Sequence, residues 1–241
     1  MLAWGGPELG DVVQPMGERV QVNWTELRID VSGSAASGQQ GARPVEELAR
    51  RRVDAAMRQA VGRVPVAPQL PLSEAMASTV HGAALRARST RWTVHEAVYG
   101  TSGRVWLRAH LSLHDLMKPW LLERATPDPL LEVGEGVTGV LVDARGLALQ
   151  PAYAPSLVGP EGGVLYEGRL AETAAVDHPP ARYVHDPAHP VAASVGPRPL
   201  IVVPQRAAGS RLHLGSADAE QLEGARQVMQ LQGIVVVVDA E

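Results

Sequence analysis

Two short runs of aliphatic residues constrain the fold of this chain more than any other feature. The first is Gly139-Val-Leu-Val-Asp143, and the second is Gly233-Ile-Val-Val-Val-Val-Asp239 near the carboxyl end. Neither run alternates apolar with polar residues, which predicts strands that are buried on both faces. An aspartate closes each run where the chain must leave the sheet, so we expect both carboxylates at a sheet edge.

The composition of the chain excludes several classes of site. Its 241 residues can form one large domain or two of ordinary size, and 45% apolar and 20% charged residues are typical of folded, soluble proteins. The absence of cysteine excludes disulfides, thiolate metal ligands, a cysteine nucleophile and the acylated cysteine of a mature lipoprotein. The formal net charge of −4 offers no broad basic field, so we expect no nucleic-acid partner.

The sequence carries no recognisable targeting or membrane segment. Residues Met1 to Gln14 lack the basic stretch and apolar core of a signal peptide. No segment approaches the roughly 20 apolar residues of a membrane-spanning helix. We therefore expect no transmembrane segment in this chain, and if the native protein is exported, this chain lacks its signal.

Apolar periodicity predicts an α+β domain in residues 1–124. Apolar residues alternate along Val20–Val31 but slip in phase near the middle, which predicts a bulge or two successive strands. Helical spacing then runs over Pro44–Ala60, and a second, less regular helix follows. A hairpin with strands at Trp92–Val98 and Val105–Leu113 completes the pattern.

A second α+β domain is predicted for residues 130–241, after a linker at Thr126-Pro-Asp-Pro129. It contains the two aliphatic runs, a proline-rich loop over residues 173–199, and a helix that starts at Ser216 and ends before Gly233. We expect two small layered domains, each with a mostly antiparallel sheet and helices packed on one face.

The densest group of metal-ligand side chains lies in the proline-rich loop. Three or four ligands must converge to hold zinc or manganese. The loop prolines and the absence of a helical ligand spacing favour a polar surface loop instead. A metal-dependent hydrolase that uses His178, His185 and His189 remains the alternative. The candidate ligands are Asp177, His178, His185, Asp186 and His189.

A second group of histidines lies on the predicted hairpin. His110 and His114 are expected on the solvent face of one strand, with His95 across the hairpin. An exposed polar sheet face explains this spacing more simply than a three-histidine metal site.

The two aspartates at the strand ends are candidates for a general acid and a general base in catalysis. Turn chemistry explains them more simply, with Asp143 capping the backbone or pairing with Arg145. Gly134-Glu-Gly136 precedes a strand where a dinucleotide fingerprint would follow one, so we expect no nucleotide cofactor and no other cofactor. Asn23-Trp-Thr25 matches a glycosylation acceptor but lies within a predicted strand, and we interpret it as chance.

Several segments together resemble bacterial cell-envelope proteins of the flagellar FlgP and FlgT type and the small outer-membrane lipoproteins related to them. The resemblance covers most of residues 25–239 and rests most on the carboxyl-terminal half. The segments are Leu27 to Ala35, Leu48 to Ala60, Val105 to Leu113, Gly139 to Leu147 with Asp143, Arg145 and Gly146, Pro155, Gly163 and Tyr166, Pro199-Leu200, Ser216-Ala-Asp218 and the terminal run that ends at Asp239.

This resemblance implies a structural function without catalytic residues. Proteins of this type are exported, so it implies a periplasmic or outer-membrane-associated location. It also implies self-association into an oligomeric ring or scaffold, and contacts with other envelope or flagellar proteins. A soluble ligand-binding module is a further alternative, which would require an apolar pocket.

Overall fold

A computed structural model of the chain describes residues 10–36, 42–78, 80–129 and 136–239. Within these residues the strands are β1 (Val13–Gly17), β2 (Val20–Asn23), β3 (Arg28–Ala36), β4 (Pro65–Ala67), β5 (Leu70–Pro71), β6 (Thr93–Tyr99), β7 (Arg104–Ser112), β8 (Gly139–Asp143), β9 (Ser156–Val158), β10 (Val164–Tyr166), β11 (Ala181–Val184), β12 (Pro199–Val202), β13 (Arg206–Ala208), β14 (Arg211–His213) and β15 (Ile234–Val237). The helices are α1 (Ala42–Arg63), α2 (Leu72–Ala77), α3 (Gly82–Ser89), α4 (Leu113–Arg124), α5 (Ala174–Asp177), α6 (Pro190–Ala193), α7 (Ser216–Gly224) and α8 (Arg226–Gln232).

The amino-terminal half is built on an antiparallel sheet in the order β1-β2-β3-β7-β6. The predicted phase slip in Val20–Val31 is a turn between β2 and β3, so this segment forms two successive strands. Helix α1 packs against β3 and β7. A Cβ atom at Gly33 would lie 2.6 Å from a methyl group of Val53, and the glycine therefore allows the close approach of helix and sheet.

The carboxyl-terminal half contains a parallel sheet in the order β11-β15-β8-β12. The α+β class is confirmed, but the expectation of a mostly antiparallel sheet is wrong for this half. The aliphatic runs explain why this sheet is parallel. All four residues of β15 and the first four of β8 are buried, as strands covered on both faces require. A smaller mixed sheet, β10-β9-β14-β13, lies beside it.

The predicted proline-rich loop contains regular structure. Residues 173–199 form α5, β11 and α6. The prolines flank these elements, since Pro179 and Pro180 precede β11 and Pro190 opens α6. Helix α4 continues through Pro119 without interruption.

The two halves share one apolar core. Trp24 and Tyr183 meet edge to face with ring centroids 5.9 Å apart. The amide groups of Tyr153 and Ala154 donate to the carbonyls of Pro65 and Val66. Residues 130–135, where we expected the second domain to begin, lie outside the described residues, and the domain boundary stays a prediction. Within the described part of the chain, none of the helices has the length and apolar character needed to cross a membrane.

Candidate functional site

The ends of three parallel strands bring polar side chains to one edge of the sheet. Val237 in β15 pairs with Asp143 in β8, and Asp239 follows two residues later. His185 follows the last residue of β11, which pairs with β15. We call Asp143, Arg145, Gly146, His185 and Asp239 the carboxyl edge. Ligands of open parallel sheets bind outside this end of the strands, which makes it the first place to look for function.

Asp143 and Arg145 form a bidentate ion pair at this edge. The Nε and Nη2 atoms of Arg145 donate to the two carboxylate oxygens of Asp143 over 2.8 and 2.6 Å. The backbone amide of Arg145 donates to the same carboxylate over 3.3 Å. Hydrogen bonding by Arg145 holds the pKa of Asp143 below its usual value, and Asp143 raises the pKa of Arg145.

Asp239 closes the turn that follows β8. Its Oδ2 atom accepts a hydrogen bond of 2.6 Å from the backbone amide of Gly146. The backbone of Gly146 has φ = +78°, a conformation that glycine adopts without strain. The amide of Ala144 donates to the carbonyl of Val237 over 2.9 Å, so side-chain and backbone bonds hold the ends of β8 and β15 together.

These bonds decide what the two aspartates can do chemically. A general acid at neutral pH needs a carboxyl group with a raised pKa, and the pKa of Asp143 is lowered. The Asp239 carboxylate accepts a backbone bond in a turn. The geometry therefore supports the turn chemistry expected from the sequence, and it supplies no acid and base pair.

A buried polar cluster lies beside the carboxyl edge and was missed by sequence reasoning. Asp11 Oδ2 accepts from Asn23 Nδ2 over 2.8 Å, and Asp11 Oδ1 lies 3.4 Å from His189 Nε2. His189 Nδ1 accepts from the backbone amide of Val191 over 3.1 Å, so the ring proton is on Nε2 and faces Asp11. The side chains of Asp11 and His189 are 2% and 6% exposed, so both are shielded from water.

Asn23 also organises its own turn. Its Oδ1 atom accepts from the amides of Thr25 and Glu26 over 3.0 and 2.8 Å. The Thr25 hydroxyl accepts from the amide of Val12 and donates to the carbonyl of Tyr183. Asn23 is the single asparagine of the chain and is buried. The match to a glycosylation motif therefore arises from the Asn and Thr side chains that form the hydrogen bonds of this turn.

The structure separates the candidate metal ligands of residues 177–189. Asp177 ends α5 and His178 follows it, both exposed, whereas His185 and Asp186 lie beyond the other end of β11. Four strand residues between His178 and His185 keep the two side chains apart. His189 is engaged with Asp11. Among the described residues no three His, Asp or Glu side chains form a metal-binding group.

The second histidine group is brought together only in part. His95 and His110 meet on the sheet, with their Nδ1 atoms 3.3 Å apart. The expectation that His114 lies on a strand is wrong, because Ser112 caps α4 and places His114 in its first turn. The Nε2 atom of His114 donates to the carbonyl of Val176 over 3.3 Å, so its Nδ1 atom accepts from the hydroxyl of Tyr153 over 2.8 Å. Burial lowers the pKa of His114.

Shallow grooves flank the carboxyl edge on two sides. One, of about 530 Å³, lies between the segments around Asp11 and Leu147 and includes Asp239 and His185. The other, of about 470 Å³, lies between α6 and β12 and includes Asp143 and Arg145. A larger groove of about 860 Å³ lies away from the edge, beside β4, β5 and β14.

The comparison with known families concerns the half of the chain that carries this edge. Residues 139–240 match the family model described as Treponema pallidum Tp0624, second domain. The matched segment starts with β8 and includes all four strands of the parallel sheet together with Asp143, Arg145, Gly146 and Asp239. This family has no stated function, and the match is consistent with a two-domain bacterial protein. No curated protein matches the chain.

Proposed function

We propose that the chain is a non-enzymatic assembly protein of the bacterial cell envelope, of the kind represented by FlgP, FlgT and their outer-membrane lipoprotein relatives. Its periplasmic or outer-membrane location and its contacts with other envelope proteins are part of this proposal. The order of motifs along the sequence supports it, and so does the carboxyl edge, where paired carboxylates stabilise turns. In this proposal the chain assembles through strand β12, which lies at the outer side of the parallel sheet.

The observation that carries the proposal is a set of exposed aliphatic side chains at β12. This strand pairs with β8 on one side only. Ile201 and Val203 are each 56% exposed, and Val137 beside the neighbouring strand is also exposed. Exposed aliphatic residues on an edge strand mark a surface that another strand can cover. We call Val137, Ile201 and Val203 the β12 patch.

A second copy of the chain is the partner that fits this patch. The backbone of β12 is paired with β8 on one side and open on the other. Two β12 strands that pair antiparallel around a two-fold axis would join the open edges of both copies. The pairing would also extend the parallel sheet from four strands to eight across the two copies.

The test is the mass of the purified chain in solution, measured by light scattering during size-exclusion chromatography over a range of concentrations. Wild type is expected to form dimers or larger particles. Ile201→Lys is expected to shift the mass to the monomer, because each copy would bring a charge into the apolar contact. The matched control is Val176→Lys on α5, which also places a lysine at an exposed valine and is expected to keep the wild-type mass.

A monomeric wild type at all concentrations would contradict self-association through β12. The envelope location is tested separately, by fractionating cells that express the full native gene with a small carboxyl-terminal tag. Recovery with the envelope is expected. Recovery in the cytosolic fraction would contradict the envelope location while leaving the result on self-association unaffected.

A further inference from the structure

Two histidines face each other on the open side of the amino-terminal sheet. His110 lies in β7 and His95 in the neighbouring strand β6. The register runs from Val94 opposite Ala109 to Glu96 opposite Arg108, so His95 is the extra residue of a β-bulge. A bulge re-aims a side chain, and here it turns His95 toward His110. The two Nδ1 atoms are 3.3 Å apart.

The two Nδ1 atoms are within hydrogen-bonding distance of each other, so one proton lies between the two rings. His110 Nε2 lies 3.2 Å from the hydroxyl of Thr93. When this nitrogen donates to Thr93, the His110 Nδ1 atom carries no proton and faces His95. The His95 Nδ1 atom then carries the proton that lies between the two rings. A bound cation takes the place of this proton, so metal binding releases it.

Carboxylates and arginines surround the pair in equal number. Asp30 is 4% exposed and lies in register with His110 across β3 and β7. Arg28 Nε lies 3.1 Å from the Asp30 carboxylate, and Arg108 lies 2.7 Å from the Glu96 carboxylate. The arginines balance the carboxylates, so the surroundings add little net charge that would repel a cation.

We propose that His95 and His110 form a binding site for a divalent transition-metal cation such as Zn²⁺, Ni²⁺ or Cu²⁺. Two nitrogens bound tetrahedrally at about 2.0–2.1 Å from zinc are about 3.3–3.4 Å apart, which agrees with the separation of the two Nδ1 atoms. Imidazole nitrogen is the ligand type that these cations prefer. Water molecules complete the coordination, as in a site that holds its metal reversibly.

The experiment is a calorimetric titration of the full chain with zinc chloride and, separately, nickel chloride at pH 7.5. One saturable equivalent per chain is expected, with the modest affinity of a site that has two protein ligands. His95→Gln and His110→Gln are each expected to weaken this binding at least tenfold. Thr93→Val should weaken it by about 10-fold, because it removes the hydrogen bond that orients His110. His213→Gln on β14 is the matched control and should bind like wild type.

Histidine signals from nuclear magnetic resonance provide the second readout. Zinc is expected to shift the ring signals of His95 and His110 first, and to do so in protein whose circular dichroism spectrum is unchanged. Two results would overturn the proposal. One is the absence of a saturable equivalent in wild type. The other is unchanged binding in a folded double variant that lacks both histidines.

Discussion

Replacing Asn23 by alanine tests whether the buried cluster connects the two halves of the molecule. Asn23 is 1% exposed and makes three hydrogen bonds, to the Asp11 carboxylate and to the amides of Thr25 and Glu26. Glu26 is exposed, so water can replace its lost bond. The Asp11 carboxylate and the Thr25 amide are buried and would each lose a partner.

The expected cost follows from these two groups. A buried polar group that loses its partner costs about 1–3 kcal/mol, so the loss at two groups is expected to lower the free energy of unfolding of Asn23→Ala by about 2–6 kcal/mol. For a chain of this size each kcal/mol lowers the melting temperature by about 2–4 °C, so a loss of 3 kcal/mol corresponds to about 6–12 °C.

The measurement is urea unfolding followed by tryptophan fluorescence, since Trp24 is next to the substituted residue, and by circular dichroism. Asn23→Asp keeps the acceptor for the two amides but places a second carboxylate against Asp11. Its instability should therefore be greatest at neutral pH and decrease in acid. Gln21→Ala, on the same strand and partly exposed, is the control and should change the free energy of unfolding by less than about 0.5 kcal/mol. A loss below about 1 kcal/mol in Asn23→Ala would refute the reasoning.

Two further predictions concern His114 and Gly146. Because burial lowers the pKa of His114 in the folded chain, its contribution to stability is present above about pH 6.5 and is lost as the pH falls through the folded-state pKa. As the pH is lowered from 7.5 to 5, the urea midpoint of wild type should decrease, and the midpoint of His114→Gln should decrease less. Equal decreases in the two proteins would contradict this role of His114. Gly146→Ala should cost about 1–2 kcal/mol, because φ = +78° strains a side chain while no atom lies within 4 Å of the added carbon. Gly224→Ala in α7, which has equally open surroundings, is the control and should be neutral or stabilising; equal effects of the two substitutions would exclude backbone strain as the cause.

The sequence was informative where a pattern depends on near neighbours in the chain. Helical spacing over Pro44–Ala60 predicted most of α1, and the apolar pattern over Trp92–Val98 and Val105–Leu113 predicted the β6–β7 hairpin. Asp143 and Arg145 are two positions apart in the sequence, so their ion pair in the turn could be predicted from neighbouring residues alone. The periodicity of residues 173–199 was hidden by prolines, because these prolines border short elements and the elements are too brief to show a repeat.

The aliphatic runs by themselves determined that β8 and β15 are buried on both faces, because a strand in which apolar and polar residues do not alternate has no polar face to expose to water. Their direction and order were decided only by the tertiary structure. Helical crossovers make the strands parallel, and this gathers Asp143, Asp239 and His185 at one edge from positions nearly one hundred residues apart. The Asp11, Asn23 and His189 cluster and the His95 and His110 pair arise in the same way. The sequence spacing of these residues does not predict that they meet, because the packing of the folded chain sets the distances between their side chains.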